Sequence, residues 1–455
     1  MKRSIEKESR LETFINNPAK ALWTLAIPMF VGMGIQVVYT LVDMMFIGRI
    51  GGVAIAAVAF NMPLFFVMHG LTMGLGSGVT ASIARYIGAK EKINADNSAE
   101  HSVLLAFIIS LLFSISGLMF GEQILVVLGA ENEILQLSWS YLKVICSGMT
   151  FVVFSSFFRA ILAGEGDMKL PMIVSAIGTV MNIILDPIFI FTLGYGVQGA
   201  AIATIISQAI VFFIFVYLLF FKNHSYITFR LKVFSISKPI LAGIFKVGIP
   251  ASLSMVIMSI GQGVFNRILV YYSADSVAAY QIGGRIDMLI FLPIMAIATA
   301  LTTLVGMFFG AKDYEKLRWI VKYGITRSVI ITFIGSTSVY ILAPFIVQAF
   351  TTNPTIYSQT VLYLRLITFV YPLVAVGMTS GRIMQGLGKG FPMLTITILR
   401  VLVVSAPLAL IFSFVYEKPV QWVWYSMMIS TCISVIIAII WLRYEFKKLE
   451  IKTIA

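Results

Sequence analysis

GLGSGVTASIARYIGAKE at residues 74–91 and AIATALTTLVGMFFGAKD at residues 296–313 carry the same Gly-Ala-Lys, 222 residues apart (310 − 88 = 222). The same spacing relates Pro28 to Pro250, and Ala56 and Ala57 to Ala278 and Ala279. Further along it drifts slightly, so that Arg159 pairs with Arg382, Pro171 with Pro392, and Pro187 with Pro407. Two apolar sequences can share a composition by chance. A constant offset kept by prolines and a charged motif marks a duplicated chain.

The duplicated unit is a membrane unit. The chain has 455 residues, 59% of them hydrophobic and 12% charged, with a mean hydropathy of +0.96. No soluble domain needs so much apolar sequence. Apolar stretches long enough to cross a bilayer as helices fall near 21–48, 55–84, 101–121, 134–162, 171–193, 199–221, 240–272, 278–309, 321–348, 357–384, 392–415 and 421–444. The pattern predicts an all-α polytopic membrane protein with about twelve transmembrane helices. They fall into two pseudo-symmetric six-helix bundles of the same orientation, because six spans return the chain to its starting side. Residues 1–20 then form an N-terminal segment, 21–221 an N-lobe, 222–239 a linker, 240–444 a C-lobe and 445–455 a tail.

The net charge of +13 could suggest a nucleic-acid partner, but its distribution argues against one. Lys and Arg gather on alternate loops: Arg85, Lys90 and Lys92; Lys169; Lys222, Arg230, Lys232 and Lys238; Lys312, Lys316 and Arg318; Lys389. Lys2, Arg3, Lys7, Arg10 and Lys20 precede the first span, and Arg443, Lys447, Lys448 and Lys452 follow the last. The intervening loops are poor in both, and one carries Glu131 and Glu133. This is a positive-inside pattern, which predicts a multi-pass protein of the cell (plasma) membrane with both termini and the linker in the cytoplasm. The polar first twenty residues, followed by a long apolar run, do not read as a cleavable signal peptide. Cys146 and Cys432 read as small interior residues.

Two acids fall inside spans: Asp43 in YTLVDMMFIG and Asp186 in VMNIILDPIFIF. A charge in hydrocarbon is costly, so an intramembrane acid is first read as functional. The repeat places Phe265 and Ala406 at the equivalent positions, so the scaffold does not itself require acids there. Counting along the predicted helices puts both acids in the outer half of the N-lobe, level with Tyr141 and Thr204. Tyr39 lies one turn from Asp43, with Gln36 near the same face, and Asn182 lies one turn from Asp186. Such groups could bond the acids or share a cation with them. Low dielectric favours the neutral form of a carboxyl group, which allows proton uptake near neutral pH. The alternative is that the acids only satisfy polar groups left over in the bundle. Pro187 frees the carbonyl of Ile183, and Asn182 could serve it, but an ionised acid cannot donate to a carbonyl. Pro28, near the inner end of the first span, is a plausible flex point, as is Pro187.

Arg285, Asp287, Arg365 and Arg400 also lie within spans, where packing or snorkelling explains them as readily as contact with a substrate. His69 reads as a satisfied interior residue. Gly74, Gly76 and Gly78 imitate a nucleotide-binding loop, but no strand precedes them and no Walker lysine follows, so they suit close helix packing. The GEGD at Gly164–Asp167 imitates the motif of intramembrane aspartyl proteases, yet it falls in a predicted cytoplasmic loop.

Over nearly its whole length the chain resembles the multidrug and toxic compound extrusion (MATE) transporters. The resemblance is carried by the six-plus-six repeat, IPMF…YTLVDMMFIG, GLGSGVTASIARYIGAKE, FRAILAGEGDMKLPM, NIILDP, GGRIDMLIFLP and RIMQGLGKGFPM, in that order. It is similar to the DinF-like branch, in which acids of the first lobe are the coupling groups. Asp43, Asn182 and Asp186 match that pattern, and Tyr39, Tyr141 and Thr204 fit around it. The acids that the NorM-like branch carries in its seventh and tenth helices are absent: Gln262 and Asn266 stand in the seventh, and residues 357–384 hold no acid. The resemblance implies antiport by alternating access, in which amphipathic, often cationic, compounds leave as H⁺ or Na⁺ enters. Na⁺ would sit at Asp43, Asn182, Asp186 and Thr204. The expected chain has no catalytic group and no organic cofactor, and works as a monomer in the lipid bilayer. A lipid-linked oligosaccharide flippase of the same superfamily is the alternative reading, with Arg285, Arg365 and Arg400 as its cationic residues. An intramembrane aspartyl protease is a distant third.

Overall fold

The computed structural model describes residues 11–222, 224–229 and 234–454, with side chains to residue 449. The ends of the two terminal segments and part of the linker therefore lie outside the described residues, and with them Lys2, Arg3, Lys7, Arg10, Arg230 and Lys232. All the regular structure among the described residues is helical. The N-lobe consists of α1 (Pro18–Ile50), α2 (Gly52–Gly88), α3 (Lys92–Val127), α4 (Asn132–Ser147 and Met149–Gly164), α5 (Lys169–Thr192) and α6 (Gly196–Phe221). The C-lobe consists of α7 (Lys238–Tyr272), α8 (Ala274–Gly310), α9 (Tyr314–Gln348), α10 (Pro354–Gly386), α11 (Phe391–Val415) and α12 (Gln421–Ile454). Eleven of these can span a membrane alone, and the two halves of α4, bent by 54° about Gly148, supply the twelfth.

Local chemistry starts several of these helices. Pro18 and Pro354 occupy first-turn positions, where a missing N–H costs nothing. The Asn353 side chain accepts from the N–H groups of Thr355 (2.8 Å) and Ile356 (3.3 Å), and Asp313 caps α9 through Lys316 N–H at 3.1 Å. Pro28 is accommodated inside a continuous α1. Pro187 is followed by a π-helical turn, Ile188–Thr192. Its counterpart Pro407 lies in a short α segment between π-helical stretches Leu399–Ser405 and Ile411–Val415. Wider turns of this kind re-register backbone hydrogen bonds that a proline interrupts.

The duplication extends to individual contacts. Thr80 Oγ1 of α2 donates to the carbonyl of Ala160 at 2.9 Å, and Thr302 Oγ1 of α8 donates to that of Arg382 at 3.2 Å. Gly88 lies so close to α8 that a Cβ there would come within 2.0 Å of the Met307 carbonyl. Gly310, its repeat mate, lies equally close to the Arg85 carbonyl, the repeat mate of Met307. Gly74 and Gly78 do the same against α7, where a Cβ would meet Ser252 and the Ile244 carbonyl at 2.2 Å. The glycine-rich stretch of α2 is therefore a helix-packing surface, as its sequence suggests.

These approaches all lie towards the end of the bundle that carries both chain termini. The interlobe hydrogen bonds among the described residues lie there too: Trp23 Nε1 to Tyr323 Oη (3.1 Å), Ser252 Oγ to the Leu71 carbonyl (3.2 Å) and Thr303 Oγ1 to the Ala163 carbonyl (2.9 Å). Residues 74–84 of α2 and 300–308 of α8 are wholly buried, whereas the opposite halves of α1, α2, α7 and α8 are only patchily so. The lobes are thus sealed on the terminal side and part towards the other.

The linker is clasped to the N-lobe. Glu165, in the turn between α4 and α5, accepts from the Ser225 hydroxyl, from Tyr226 N–H (2.9 Å) and from Ile227 N–H (3.2 Å). Asp96 accepts from Thr228 N–H at 2.9 Å and from Lys92. Ser237 N–H donates to His101 Nε2 (2.9 Å), whose Nδ1 faces the Asn97 carbonyl (2.8 Å). The GEGD segment is thereby given a structural job. Charge-assisted bonds of this type contribute about 1.5–3 kcal/mol. Glu165→Ala should therefore speed tryptic cleavage after Lys222 by about tenfold or more, read by limited proteolysis of the protein in detergent. Equal rates would mean that the linker is held by other contacts.

Candidate functional site

The pleat of helices α1, α5 and α6 brings together side chains that are far apart in sequence. Asn182, one turn before Asp186, donates from Nδ2 to Asp186 Oδ1 at 3.2 Å and to Thr204 Oγ1 at 3.5 Å. Thr204 in turn shares a hydrogen bond with Tyr39 Oη at 3.2 Å. Asp43, one turn beyond Tyr39, lies within electrostatic range of Asp186. Tyr141, from the first half of α4, packs edge-on against Phe65 (6.0 Å between centroids) and lies within electrostatic range of Asp43, Tyr39 and Asp186. Asn182, Asp186 and Tyr141 are buried, and Asp43, Tyr39 and Thr204 are half-buried. Gln36, grouped with these residues from its helical spacing, is instead exposed on α1.

The cluster is short of donors. Asp43 Oδ1, Asp186 Oδ2 and Asn182 Oδ1 are buried and have no hydrogen-bond partner. Buried polar atoms are nearly always satisfied, and an orphaned acceptor costs about 1–3 kcal/mol. Three orphaned acceptors in one cluster, two of them on carboxylates, suit a proton or a cation. The donor set is entirely oxygen, which suits a hard monovalent or divalent ion rather than a soft metal. No group of three or more His, Cys, Asp or Glu side chains could hold a metal among the described residues. The chemistry open to this cluster is therefore reversible uptake of a proton or of a weakly held hard cation.

The repeat-equivalent positions are apolar, as the sequence indicates: Phe265 and Ala406 are both buried. The C-lobe nonetheless has its own acid centre on α8, between three and four turns from its start. Asp287 accepts from Tyr363 Oη at 2.6 Å and from Tyr371 Oη. Tyr363 and Tyr280 enclose it with Trp424, which stacks on Tyr280 at 5.8 Å and meets Tyr363 edge-on at 4.9 Å. Gly283 makes room for Tyr363, since a Cβ would come within 2.3 Å of its ring. The sequence alone leaves Asp287 open between packing and contact with a substrate. The signal available was the Tyr280, Gly283, Asp287 stripe on one face of α8, together with aromatic residues of α10. Both oxygens of Asp287 are bonded, unlike those of Asp43 and Asp186.

The remaining intramembrane charges separate clearly. Arg285 and Arg365 are exposed, the latter with its guanidinium 5.7 Å from the Tyr340 ring centroid. Arg400 is half-buried within electrostatic range of Tyr280. His69 is exposed on α2, within electrostatic range of Arg159.

Comparison with known proteins agrees with this architecture. The MatE family model matches twice, over residues 28–188 and 250–411. The multidrug export protein MepA of Staphylococcus aureus (strain NCTC 8325 / PS 47) is 29% identical over 388 residues, covering 84% of this chain and 85% of that protein. A probable multidrug resistance protein NorM of Thermotoga maritima is 27% identical over 418 residues, covering 90% and 88%. A solved structure of a multidrug resistance MATE family transporter of the MOP superfamily, in an outward-facing conformation, superposes with a TM-score of 0.90. It is 34% identical and covers 95% of this chain and 97% of its own.

Proposed function

The chain belongs to the MatE family of multi-pass membrane transporters, and from that premise we propose that it is a secondary multidrug efflux antiporter coupled through the acids of its N-lobe. It exports amphipathic, often cationic, compounds as H⁺ or Na⁺ moves inward, by rocking of the two lobes between outward-open and inward-open states. The observation that carries this reading is the cluster of orphaned oxygens on Asp43, Asn182 and Asp186. Loading by a proton or Na⁺ would neutralise the pair and allow the outer half of α1 to repack, with Pro28 and Pro187 as flex points. Asn182 and Thr204 would orient the acids, and Tyr39 and Tyr141 would close the cluster from α1 and α4. The N-lobe position of the acids supports a DinF-like coupling mode. The basic loops support cytoplasmic termini in a plasma membrane, so that the sealed side faces the cytoplasm. The chain would act as a monomer, without organic cofactor or nucleic acid.

The test is transport by the full-length protein in ATP-free proteoliposomes, with proton and sodium gradients imposed separately. Accumulation of a lipophilic cation such as tetraphenylphosphonium should follow one gradient and collapse with it. Failure with both gradients would refute antiport. Lipid-headgroup translocation without any gradient would favour the flippase reading instead.

A further inference from the structure

Towards the sealed side, each lobe carries one half-buried arginine that this antiport reading leaves unused. Arg159 lies on the second half of α4, and Arg382, its repeat mate, on the second half of α10. From Phe157 to Met168 every residue is buried except Arg159. From Thr379 to Gly388 every residue is buried except Arg382. Their immediate neighbours are closed: Phe158 is 1% exposed, and Ile161, Ile383 and Met384 are 0% exposed. In each lobe a single arginine thus keeps partial exposure within an otherwise closed stretch. A face turned to lipid would expose side chains on successive turns, including the turn that follows; here the opening ends at the arginine.

Both arginines stay charged, because guanidinium is not deprotonated in proteins. No carboxylate pairs with either among the described residues. Arg382 donates to Gln385 Oε1 at 3.1 Å, a neutral partner that leaves the charge unbalanced. Among the described residues Arg159 has His69 of α2 within electrostatic range, a group that can add charge or a hydrogen-bond donor but no negative charge. Two contacts with α8 bring the arginines near one level. Thr302 Oγ1 bonds the Arg382 carbonyl, and Thr303 Oγ1 bonds that of Ala163, one turn beyond Arg159. The two sites therefore differ in depth by about one helical turn. Even a half-buried cation without a carboxylate partner favours a nearby anion, and the forked guanidinium donors match the oxygens of carboxylate, sulfonate or phosphate.

We propose that Arg159 and Arg382 form an anion-binding subsite at the sealed end of the cleft, which takes the negatively charged group of an amphipathic ligand. The acid cluster of the N-lobe and this subsite would give the cleft opposite polarities at two depths. Ligands carrying both charges, or a negative group on an apolar body, then become candidate cargo alongside simple cations. This goes beyond the antiport reading, because anion binding needs no gradient.

The test uses the full-length protein in phosphatidylcholine nanodiscs. Radiolabelled taurocholate, an amphipathic sulfonate, should bind saturably. Arg159→Gln and Arg382→Gln should each weaken it by roughly tenfold, the loss of one charged hydrogen bond, while Arg159→Lys restores part of the affinity. Tetraphenylphosphonium binding should be unchanged or stronger in the Gln variants. In the wild type, modification of Arg159 and Arg382 by phenylglyoxal, read by peptide mass spectrometry, should be slowed by taurocholate and not by tetraphenylphosphonium. That arm stands even where a variant fails to fold. Displacement of taurocholate by phosphatidylglycerol in the disc would identify a lipid phosphate as the natural anion, and displacement by inorganic phosphate alone a soluble one. Unprotected arginines in the wild type would overturn the proposal, as would wild-type taurocholate affinity in both Gln variants. An equal loss of both probes would assign the arginines to packing.

Discussion

Asp186→Asn should abolish gradient-driven export of tetraphenylphosphonium from proteoliposomes, and Asp43→Asn should do the same. The amide is nearly isosteric with the carboxyl group, so the packing around Asp186, which is 0% exposed, is retained. What disappears is the capacity to carry one charge in one state and none in the other. Asp186 Oδ2 and Asp43 Oδ1 are orphaned acceptors, and an amide N–H₂ at either place supplies a permanent donor where a transient one is needed. A transporter that cannot distinguish loaded from unloaded states loses the differential binding that shifts its conformational equilibrium. Accumulation should fall to the level reached without a gradient, at least about tenfold below wild type. Facilitated exchange of substrate in the absence of a gradient should survive, which separates lost coupling from lost folding. Tyr39→Phe, which removes only the hydrogen bond to Thr204, should cost about 1 kcal/mol of local stability and several-fold in rate. The two Asn changes together should do little more harm than either alone, because they disable one shared unit. Full gradient-driven accumulation in both single variants would make the acids structural.

The second large effect is expected at the crossing of α2 and α8. Any residue with a Cβ at position 88 would place it within 2.0 Å of the Met307 carbonyl, and any at position 310 within 2.0 Å of the Arg85 carbonyl. Backbone oxygens of helices cannot yield like flexible side chains, so Gly88→Ala must push the lobes apart on the terminal side. The seal that closes this side would then be unfavourable, and the equilibrium would move towards states open there. Met307, 1% exposed at the crossing, provides the reporter. In a background lacking Cys146 and Cys432, Met307→Cys should react slowly with a membrane-impermeant maleimide, and about tenfold faster once Gly88→Ala is added. Gly310→Ala should behave alike, because it makes the mirror contact. Transport should drop in both. Unchanged labelling and unchanged transport would show that the crossing relaxes without opening.

Much of this arrangement is legible in the sequence because it repeats. The offset of 222 pairs Gly88 with Gly310 and Thr80 with Thr302, and the structure joins the glycines through mirror contacts and the threonines through contacts one residue out of register. Hydropathy finds the helices because the bilayer demands long apolar runs. It does not find where they bend. The 54° break in α4 falls at Gly148, where a Cβ would collide with Ile205 of α6. That is a tertiary contact with no local signature. Helical spacing places Gln36 on the face of Tyr39 and Asp43, but it lies two turns from Asp43 along α1, where the packing of the neighbouring helices leaves it exposed. Asp287 was visible as an intramembrane acid, yet its partners Tyr363 and Tyr371 come from another helix. Nothing within α8 announces that two phenols will converge on it. Arg159 and Arg382 were visible as a repeat pair, while their openness within closed stretches belongs to the packed molecule.

The clasp that holds the linker to the N-lobe has a mechanical consequence. Glu165 and Asp96 grip Ser225–Thr228, and His101 grips Ser237, the last residue before α7 begins at Lys238. Two points of the chain between the lobes are thus bolted to one half of the machine, and the second, Ser237, ends an arm at the first turn of α7. Whatever turning the C-lobe performs must be taken up at the root of α7, where the arm ends. In the proposed rocking cycle, a pivot that small would set the axis of the stroke and leave the lobes little room to slide apart.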